Sequence, residues 1–380
     1  MKTGTASLAG TLFLSAVTLV GQTGPTVHVA VGFGVDTSSA PNEEIFDRWS
    51  EYLRSRPSCA NPSPSWSEAE RASGGDLLCS QVYMGFTMFT VVNLEPAAGM
   101  DSTYLIRTLV GATGDSGTAY RPLALYRTYA VREHGRWVLA NALPRETRSW
   151  RHERIGRITF VFPASYPFIR ARAEGSAKFV DSLAGAWSLD PPAAIGYYFT
   201  ANPKDTQRAM GLDFIPAPDT TWGLADTQHK IVFVGSSASG EDYRHELAHL
   251  VLIPFTSTHH PGRLVNEGLA TWTGGSAGLR FRQLIPALSR YLDDHPQLTL
   301  EQIMADSPQR EGSLDVGYDG FAVLCEMVYR KSGLAGITAL ADAGRDDKAV
   351  LDAAARAIEV PRDNLDAAWR ARVRALALAP

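Results

Sequence analysis

One short stretch of the chain, EDYRHELAHLVLIP, combines residue types that can hold a metal ion. Its residues His245, Glu246 and His249 form the pattern H-E-x-x-H. On a helix, positions four apart share one face with Cβ atoms about 5 to 6 Å apart, so both imidazoles can reach one ion. Glu246 then lies beside the ion, where its carboxylate can hold a water molecule and take its proton. Two neutral imidazoles and a carboxylate suit zinc, with a fourth position left for water.

The composition of the chain limits the ligands of such a site and the partners of the protein. Only three of the 380 residues are cysteine, which excludes a disulfide-rich scaffold and cysteine-based zinc or iron–sulfur sites. Any metal ligands are therefore His, Asp or Glu. The net charge of -4 comes from 36 basic and 40 acidic residues, so no overall field attracts nucleic acid or an anionic membrane.

A second motif, VNEGLATW, follows the first and contains Glu267. Together the two motifs resemble the gluzincin metallopeptidases, in which the third zinc ligand is a glutamate on the helix after the HExxH helix. The resemblance implies that His245, His249 and Glu267 bind one zinc ion per chain and that Glu246 is the general base. The alternative interpretation is an amphipathic helix with hydrogen-bonded histidines and a surface Glu267 in a first helical turn.

The segments around the two motifs add further expectations from the same resemblance. GYDGFAVLCEMVYRKSG is similar to the helix that follows the active site in peptidase-MA-like proteins, which implies that the Tyr318 hydroxyl stabilises the oxyanion of a tetrahedral intermediate. A packed aromatic ring is the alternative for Tyr318. HKIVFVGS stands where zincins carry the edge strand that pairs with substrate, although an ordinary core strand fits it too.

One position departs from the pattern of the resembled enzymes. Thr271 stands four residues after Glu267, where thermolysin-like enzymes place an aspartate that orients a ligand histidine. We expect either Thr271, as a weaker acceptor, or another residue to take that role. No G-x-M-E-N segment precedes the HExxH motif, so removal of single residues from a free amino terminus is not supported.

The pattern of apolar residues predicts an α+β protein of two domains. Residues 40–145 read as one helix followed by four strands, an α+β domain whose last hairpin is similar to the cone-shaped nuclear-transport-factor-like fold. Arginines recur at every third position from Arg145 to Arg157, which we interpret as a solvated linker, with an anionic partner as the alternative. For residues 155–378, the pattern predicts a small mixed sheet and an α-rich C-terminal half, and the resemblance to gluzincins implies a zincin-like peptidase domain.

The amino terminus indicates export from the cytoplasm. An uncharged run from Leu8 to Val20 has the length of a signal-peptide core, so residues 1–24 are predicted to be a signal peptide. A frayed apolar terminus or a first strand of a cytoplasmic protein is the alternative. Cys59 and Cys79 could form a disulfide outside the cytosol or remain unpaired. No second apolar run approaches the length of a membrane span, so the mature chain is expected to lack one.

These observations support one main hypothesis and two rivals. The main one is an exported zinc peptidase that acts on peptides or proteins, with no nucleic-acid partner. One rival is a catalytically weak or inactive zincin-like protein that binds or senses a ligand at the cell exterior. The other is a maturation factor that cuts one dedicated protein. The side-chain preference, endo- or exo-cleavage and the oligomeric state are not specified by the sequence.

Overall fold

The computed structural model describes residues 26–55, 59, 63–72, 77–79, 86–113, 120–214, 221–305, 310–311 and 313–378. The predicted signal peptide, residues 1–24, lies outside the described residues. The chain divides into two compact units. The first takes its described residues from Met1–Arg151, Val161–Tyr166 and Asn202–Thr220, and the second takes its residues from His152–Phe160, Pro167–Ala201 and Thr221–Pro380.

Helices and strands occur in both units, which confirms the α+β class. The strands are β1 (His28–Val31), β2 (Met88–Pro96), β3 (Thr103–Thr113), β4 (Tyr120–Glu133), β5 (Arg136–Ala140), β6 (Arg151–Ile155), β7 (Ile158–Phe162), β8 (Ile195–Thr200), β9 (Leu212–Phe214), β10 (Thr221–Asp226), β11 (Ile231–Ser236), β12 (Arg310–Glu311) and β13 (Leu314–Asp315). The helices are α1 (Ala40–Ser55), α2 (Glu68–Ala72), α3 (Leu143–Glu146), α4 (Arg170–Trp187), α5 (Pro203–Ala209), α6 (Arg244–Val251), α7 (Ile253–His259), α8 (Arg263–Gly274), α9 (Phe281–Asp294), α10 (Leu300–Ala305), α11 (Val316–Asp342), α12 (Asp347–Ala357) and α13 (Leu365–Leu378).

The first unit is a helix packed on a largely antiparallel sheet. The sheet has the order β1-β2-β3-β4-β5, with β1 parallel to β2 and the short strand β9 paired with β4. Helix α1 buries one face that contains Ile45, Trp49 and Tyr52. The indole Nε1 of Trp49 donates to Thr108 Oγ1 of β3 at 2.9 Å, so the helix is fixed to the sheet by a polar contact as well as by apolar burial. The nuclear-transport-factor-like description of this unit stays a prediction.

A disulfide joins Cys59 and Cys79 in the first unit, across a sequence separation of 20 residues. Of the two possibilities that the sequence left open for this pair, the structure has the bridged one. Cys325 is a free, fully buried thiol in α11.

Removing this disulfide should destabilise the first unit. A loop of this length gives about 3 kcal/mol of stabilisation in the chain-entropy account, so the double variant Cys59→Ser, Cys79→Ser should unfold at clearly lower denaturant concentration. Denaturation of wild type with and without a thiol reductant measures the same loss. A reductant that lowers the midpoint of the double variant as much as that of wild type would show that the bridge is not the cause.

The second unit contains a five-stranded mixed sheet of order β10-β11-β8-β7-β6. Strand β11 pairs in parallel with β8 and antiparallel with β10. The prediction of HKIVFVGS as an edge strand was therefore wrong, because β11 lies inside the sheet, and β10 is the edge strand in the described part of it. The arginine-rich segment is not simply a linker either, since residues Arg151–Ile155 form strand β6.

Beyond the sheet, the second unit is mainly helical to its end, as the sequence predicts. Helix α8 packs against both α6 and α11. Trp369 of α13 is fully buried and its Nε1 donates to Gly320 O of α11 at 3.0 Å, which fixes the last helix to α11. Within the described residues, no helix combines the length and apolar character needed to cross a membrane.

Candidate metal centre

Helix α6 presents the HExxH motif from a buried position. Every residue from His245 to Val251 is buried, so the polar side chains of the motif are held inside the protein by the apolar ones around them. The loop before the helix is fixed by Tyr197 of β8, whose hydroxyl donates to Gly240 O at 2.7 Å and accepts from the Tyr243 N–H at 3.0 Å. These contacts set the position at which the helix begins.

His245, His249 and Glu267 come together as one cluster of donor atoms. His245 Nε2 lies 3.1 Å from Glu267 Oε2 and 3.3 Å from His249 Nε2, and His249 Nε2 lies 3.4 Å from Glu267 Oε2. Zinc with ligands at about 2.0 to 2.2 Å in a tetrahedron places neighbouring donor atoms roughly 3.3 Å apart. The three atoms therefore have the spacing of one face of a zinc tetrahedron, and this donor set fits the ion.

Without an ion, the cluster is held by opposite charges. Burial lowers the pKa of His245, but the contact with Glu267 and the charges of Glu246 and Glu267 outweigh burial and raise that pKa to about 9. Burial raises the pKa of Glu267, but the imidazoles of His249 and His245 outweigh it and hold that pKa well below its ordinary value. The metal-free site thus favours a charged imidazole next to a carboxylate.

This pairing makes the stability of the metal-free protein depend on pH. A raised pKa of His245 contributes stability that is fully present below about pH 6.5 and is lost as the pH rises through about 9, by roughly 3 kcal/mol at most. We expect the unfolding midpoint of chelator-treated protein to fall over this range. Zinc-loaded protein should not show the fall, because zinc binds the neutral imidazole. A metal-free protein with a flat stability profile between pH 6.5 and 9 would contradict this.

Glu246 lies next to the donor cluster with one carboxylate oxygen unused. Its Oε2 is buried and has no hydrogen-bond partner in the part of the chain that the structure describes. Burial raises the pKa of Glu246, against the lowering effect of His245, of His249 and of the Ala225 N–H on the edge strand β10. A buried carboxylate with a raised pKa and a free oxygen is suited to take and return a proton.

Strand β10 approaches Glu246 closely because one of its residues is a glycine. A Cβ atom at Gly223 would lie 2.7 Å from Glu246 Oε1 and 2.2 Å from Tyr243 Cε1, closer than van der Waals contact allows. The missing side chain therefore lets the backbone of the edge strand lie beside the carboxylate.

Gly223→Ala should displace Glu246. If Glu246 is the general base, a shift of the order of 1 Å should lower hydrolytic activity about 100-fold, and overpacking should cost about 1 to 3 kcal/mol of stability. Gly196→Ala in strand β8 of the same sheet is the control, because its added Cβ would meet only side-chain atoms at 3.3 Å and beyond. Equal activity losses in the two variants would argue against a specific role of Gly223.

The remaining predicted residue, Tyr318, stands at the start of α11 beside the cluster. It is buried, and its ring lies parallel to that of His245 with a centroid distance of 6.1 Å. Asp315 caps the helix by accepting from the Tyr318 N–H at 3.0 Å. The placement is compatible with both interpretations of Tyr318, as an oxyanion donor and as a packed aromatic ring.

The partner of the second imidazole nitrogen of His245 is a backbone group. Gly275 O lies 2.8 Å from His245 Nδ1, whereas Thr271 Oγ1 lies 3.5 Å from it. Sequence reasoning did not identify Gly275, nor strand β10 with Gly223. Two signals in the sequence could have indicated them. The Gly274-Gly275 pair is typical of a helix end and bears on Gly275. Asp226 is a turn-forming residue at the end of β10, where it accepts from the Gln228 N–H at 3.0 Å.

No protein family and no curated protein sequence matches this chain. Among solved structures, the chain is similar to an M1 zinc metallopeptidase from Deinococcus radiodurans, with 14% sequence identity and a TM-score of 0.30. A mutant of the M1 zinc metallopeptidase from that organism, bound to a Tyr-Ser-Ala substrate, gives 12% identity and a TM-score of 0.32. Each match covers 77% of this chain and 64% of the other, so this chain spans less than two thirds of either neighbour.

Proposed function

We propose that this protein is a zinc-dependent peptidase whose ligands are His245, His249 and Glu267. The observation that carries the proposal is the buried triangle of donor atoms with zinc-like spacing, next to a glutamate with an unused oxygen. A zinc ion held there would act as a Lewis acid, lowering the pKa of a water molecule and polarising the carbonyl oxygen of a peptide. The donor set needs no cysteine, which agrees with the composition.

The residues of the chain would then divide the proton transfers between them. Glu246 accepts a proton from the attacking water at its free Oε2 and returns it to the nitrogen of the leaving amine. Burial raises the pKa of Glu246, which makes its carboxylate a stronger base toward the proton of the attacking water. We assign Tyr318 as the donor to the developing oxyanion, an assignment supported by its place beside His245.

Strand β10 would bind the substrate backbone. It is the edge of the sheet in the described residues, and its Ala225 N–H already points to Glu246. An extended peptide added to such an edge is held by main-chain hydrogen bonds, which are largely indifferent to side chains. This arrangement would bring a scissile bond to Glu246 and suits a peptide or an unfolded protein segment as substrate.

We also propose that the protein acts outside the cytoplasm. The Cys59–Cys79 disulfide supports this, because such bonds persist in oxidising compartments. The predicted signal peptide agrees with it.

A cleavage assay with a peptide library tests the peptidase function. Zinc-loaded wild type should cleave peptide bonds, a chelator should stop the cleavage, and added zinc should restore it. Fully zinc-loaded protein that cleaves no peptide and no unfolded casein would contradict the proposal and favour an inactive zincin-like binding protein.

A further inference from the structure

The imidazole of His245 is held through its Nδ1 by the backbone of a glycine. Gly275 O lies 2.8 Å from Nδ1. Because a carbonyl oxygen only accepts hydrogen bonds, Nδ1 carries the proton, and the lone pair of a neutral ring is then on Nε2. Nε2 is the atom that faces Glu267 and His249. One backbone contact therefore decides which nitrogen of His245 is available as a ligand.

The turn that supplies this carbonyl is built so that only glycine fits. Gly275 ends helix α8 with a φ of +86°, and a Cβ there would lie 2.0 Å from Leu279 O. A Cβ at Gly274 would lie 2.5 Å from Arg244 O at the start of α6. The ends of the turn are closed by hydrogen bonds from Ser276 N to Leu279 O at 3.0 Å and from Leu279 N to Ser276 O at 2.8 Å. The turn thus lies directly on the first residues of the HExxH helix.

Thr271 is the residue at which a side chain would be expected to hold this ring. Its hydroxyl is 3.5 Å from Nδ1, at the limit of a hydrogen bond, while the carbonyl is at an ordinary distance. A hydroxyl can also donate, so Thr271 alone would not fix the position of the proton on His245.

We propose that Gly275 is the positioning residue of the metal centre. Its carbonyl fixes the orientation of the His245 ring and places the proton on Nδ1, and the Thr271 hydroxyl contributes little to either. This proposal rests on one part of the proposed function, the binding of zinc by His245, and does not require peptidase activity. The group that accepts the hydrogen bond from His245 is then a neutral carbonyl, whereas a carboxylate in its place would add a negative charge next to the metal site.

Zinc affinity, measured by competition with a chelator, separates the two candidates. Thr271→Val keeps the shape and removes the hydroxyl, so we expect an affinity within about threefold of wild type, whereas Gly275→Ala should weaken binding about 10- to 100-fold. Gly344→Ala is the matched control, because Gly344 also has a positive φ but its added Cβ would meet nothing within 4 Å. A tenfold or greater loss in Thr271→Val, or an equal loss in Gly344→Ala and Gly275→Ala, would overturn the proposal.

A second measurement covers the case in which Gly275→Ala does not fold. In zinc-loaded wild type labelled with nitrogen-15, the Nδ1 of His245 should carry a proton seen in the imidazole region of the NMR spectrum, and Thr271→Val should retain it. An unprotonated Nδ1, or loss of the proton signal in Thr271→Val, would contradict a role for the carbonyl. Zinc binding without peptide cleavage would reject the peptidase function and leave this proposal intact, so the two can fail separately.

Discussion

Glu246→Gln should abolish peptide hydrolysis while leaving zinc bound. The amide keeps the size of the side chain but cannot take a proton, and loss of general-base catalysis costs about 100- to 10,000-fold in rate. None of the three donor atoms belongs to Glu246, so the zinc content should stay at that of wild type. The comparison of turnover and metal content in the same preparation makes this the most sensitive test of the catalytic assignment.

The same variant should be at least as stable as wild type. Burial raises the pKa of Glu246, which means that its ionised form is unfavourable in the folded protein, and this cost grows as the pH rises above the ordinary pKa of a glutamate. A neutral glutamine removes the cost, so we expect a higher unfolding midpoint for the metal-free variant at neutral pH. A variant that keeps wild-type turnover would show that Glu246 is not the base.

Glu267→Gln should remove most of the zinc affinity. Loss of a partner outside the ligand shell typically costs about 10- to 100-fold in metal affinity, and loss of a direct ligand should cost more than about 100-fold. The glutamine side chain also removes the charge that raises the pKa of His245. We therefore expect the metal-free variant to lose less stability than wild type when the pH rises from 6.5 to about 9.

Two measurements separate this effect from unfolding. Circular dichroism should show a folded chain, and activity should return in part at high zinc concentration. If Glu267→Gln binds zinc as tightly as wild type, the third ligand is another group. If the stability of the metal-free protein does not change with pH in either wild type or the variant, Glu267 does not raise the pKa of His245.

The sequence was sufficient to predict that His245, His249 and Glu267 come together, because they lie in short local patterns. The spacing of His245 and His249 depends only on helix geometry, and the resemblance of the second motif to the gluzincins added Glu267. The α+β class and four of the six strands of the first unit, β2 to β5, were also predictable, since alternating and apolar runs report local structure directly. Strands β1 and β9 were not predicted.

The features that the sequence did not predict depend on contacts between distant parts of the chain. The place of strand β11 just before the HExxH motif predicted an edge position by resemblance to zincins. Sheet order is decided by long-range pairing, and β10 pairs with the outer side of β11. The acceptor for His245 is a main-chain carbonyl, and any residue has one, so no residue type marks Gly275 as the partner. The close approach of Gly223 to Glu246 is likewise a property of packing rather than of a motif.

We propose that His245, His249 and Glu267 form a zinc site in which Glu246 is not a ligand. Metal analysis of purified wild type, Glu246→Gln and His249→Ala tests it most directly, with folding of each variant checked by its circular dichroism. We predict one zinc ion per chain in wild type and in Glu246→Gln, and none in folded His249→Ala. Wild type without zinc, or His249→Ala with a full complement, would contradict the account.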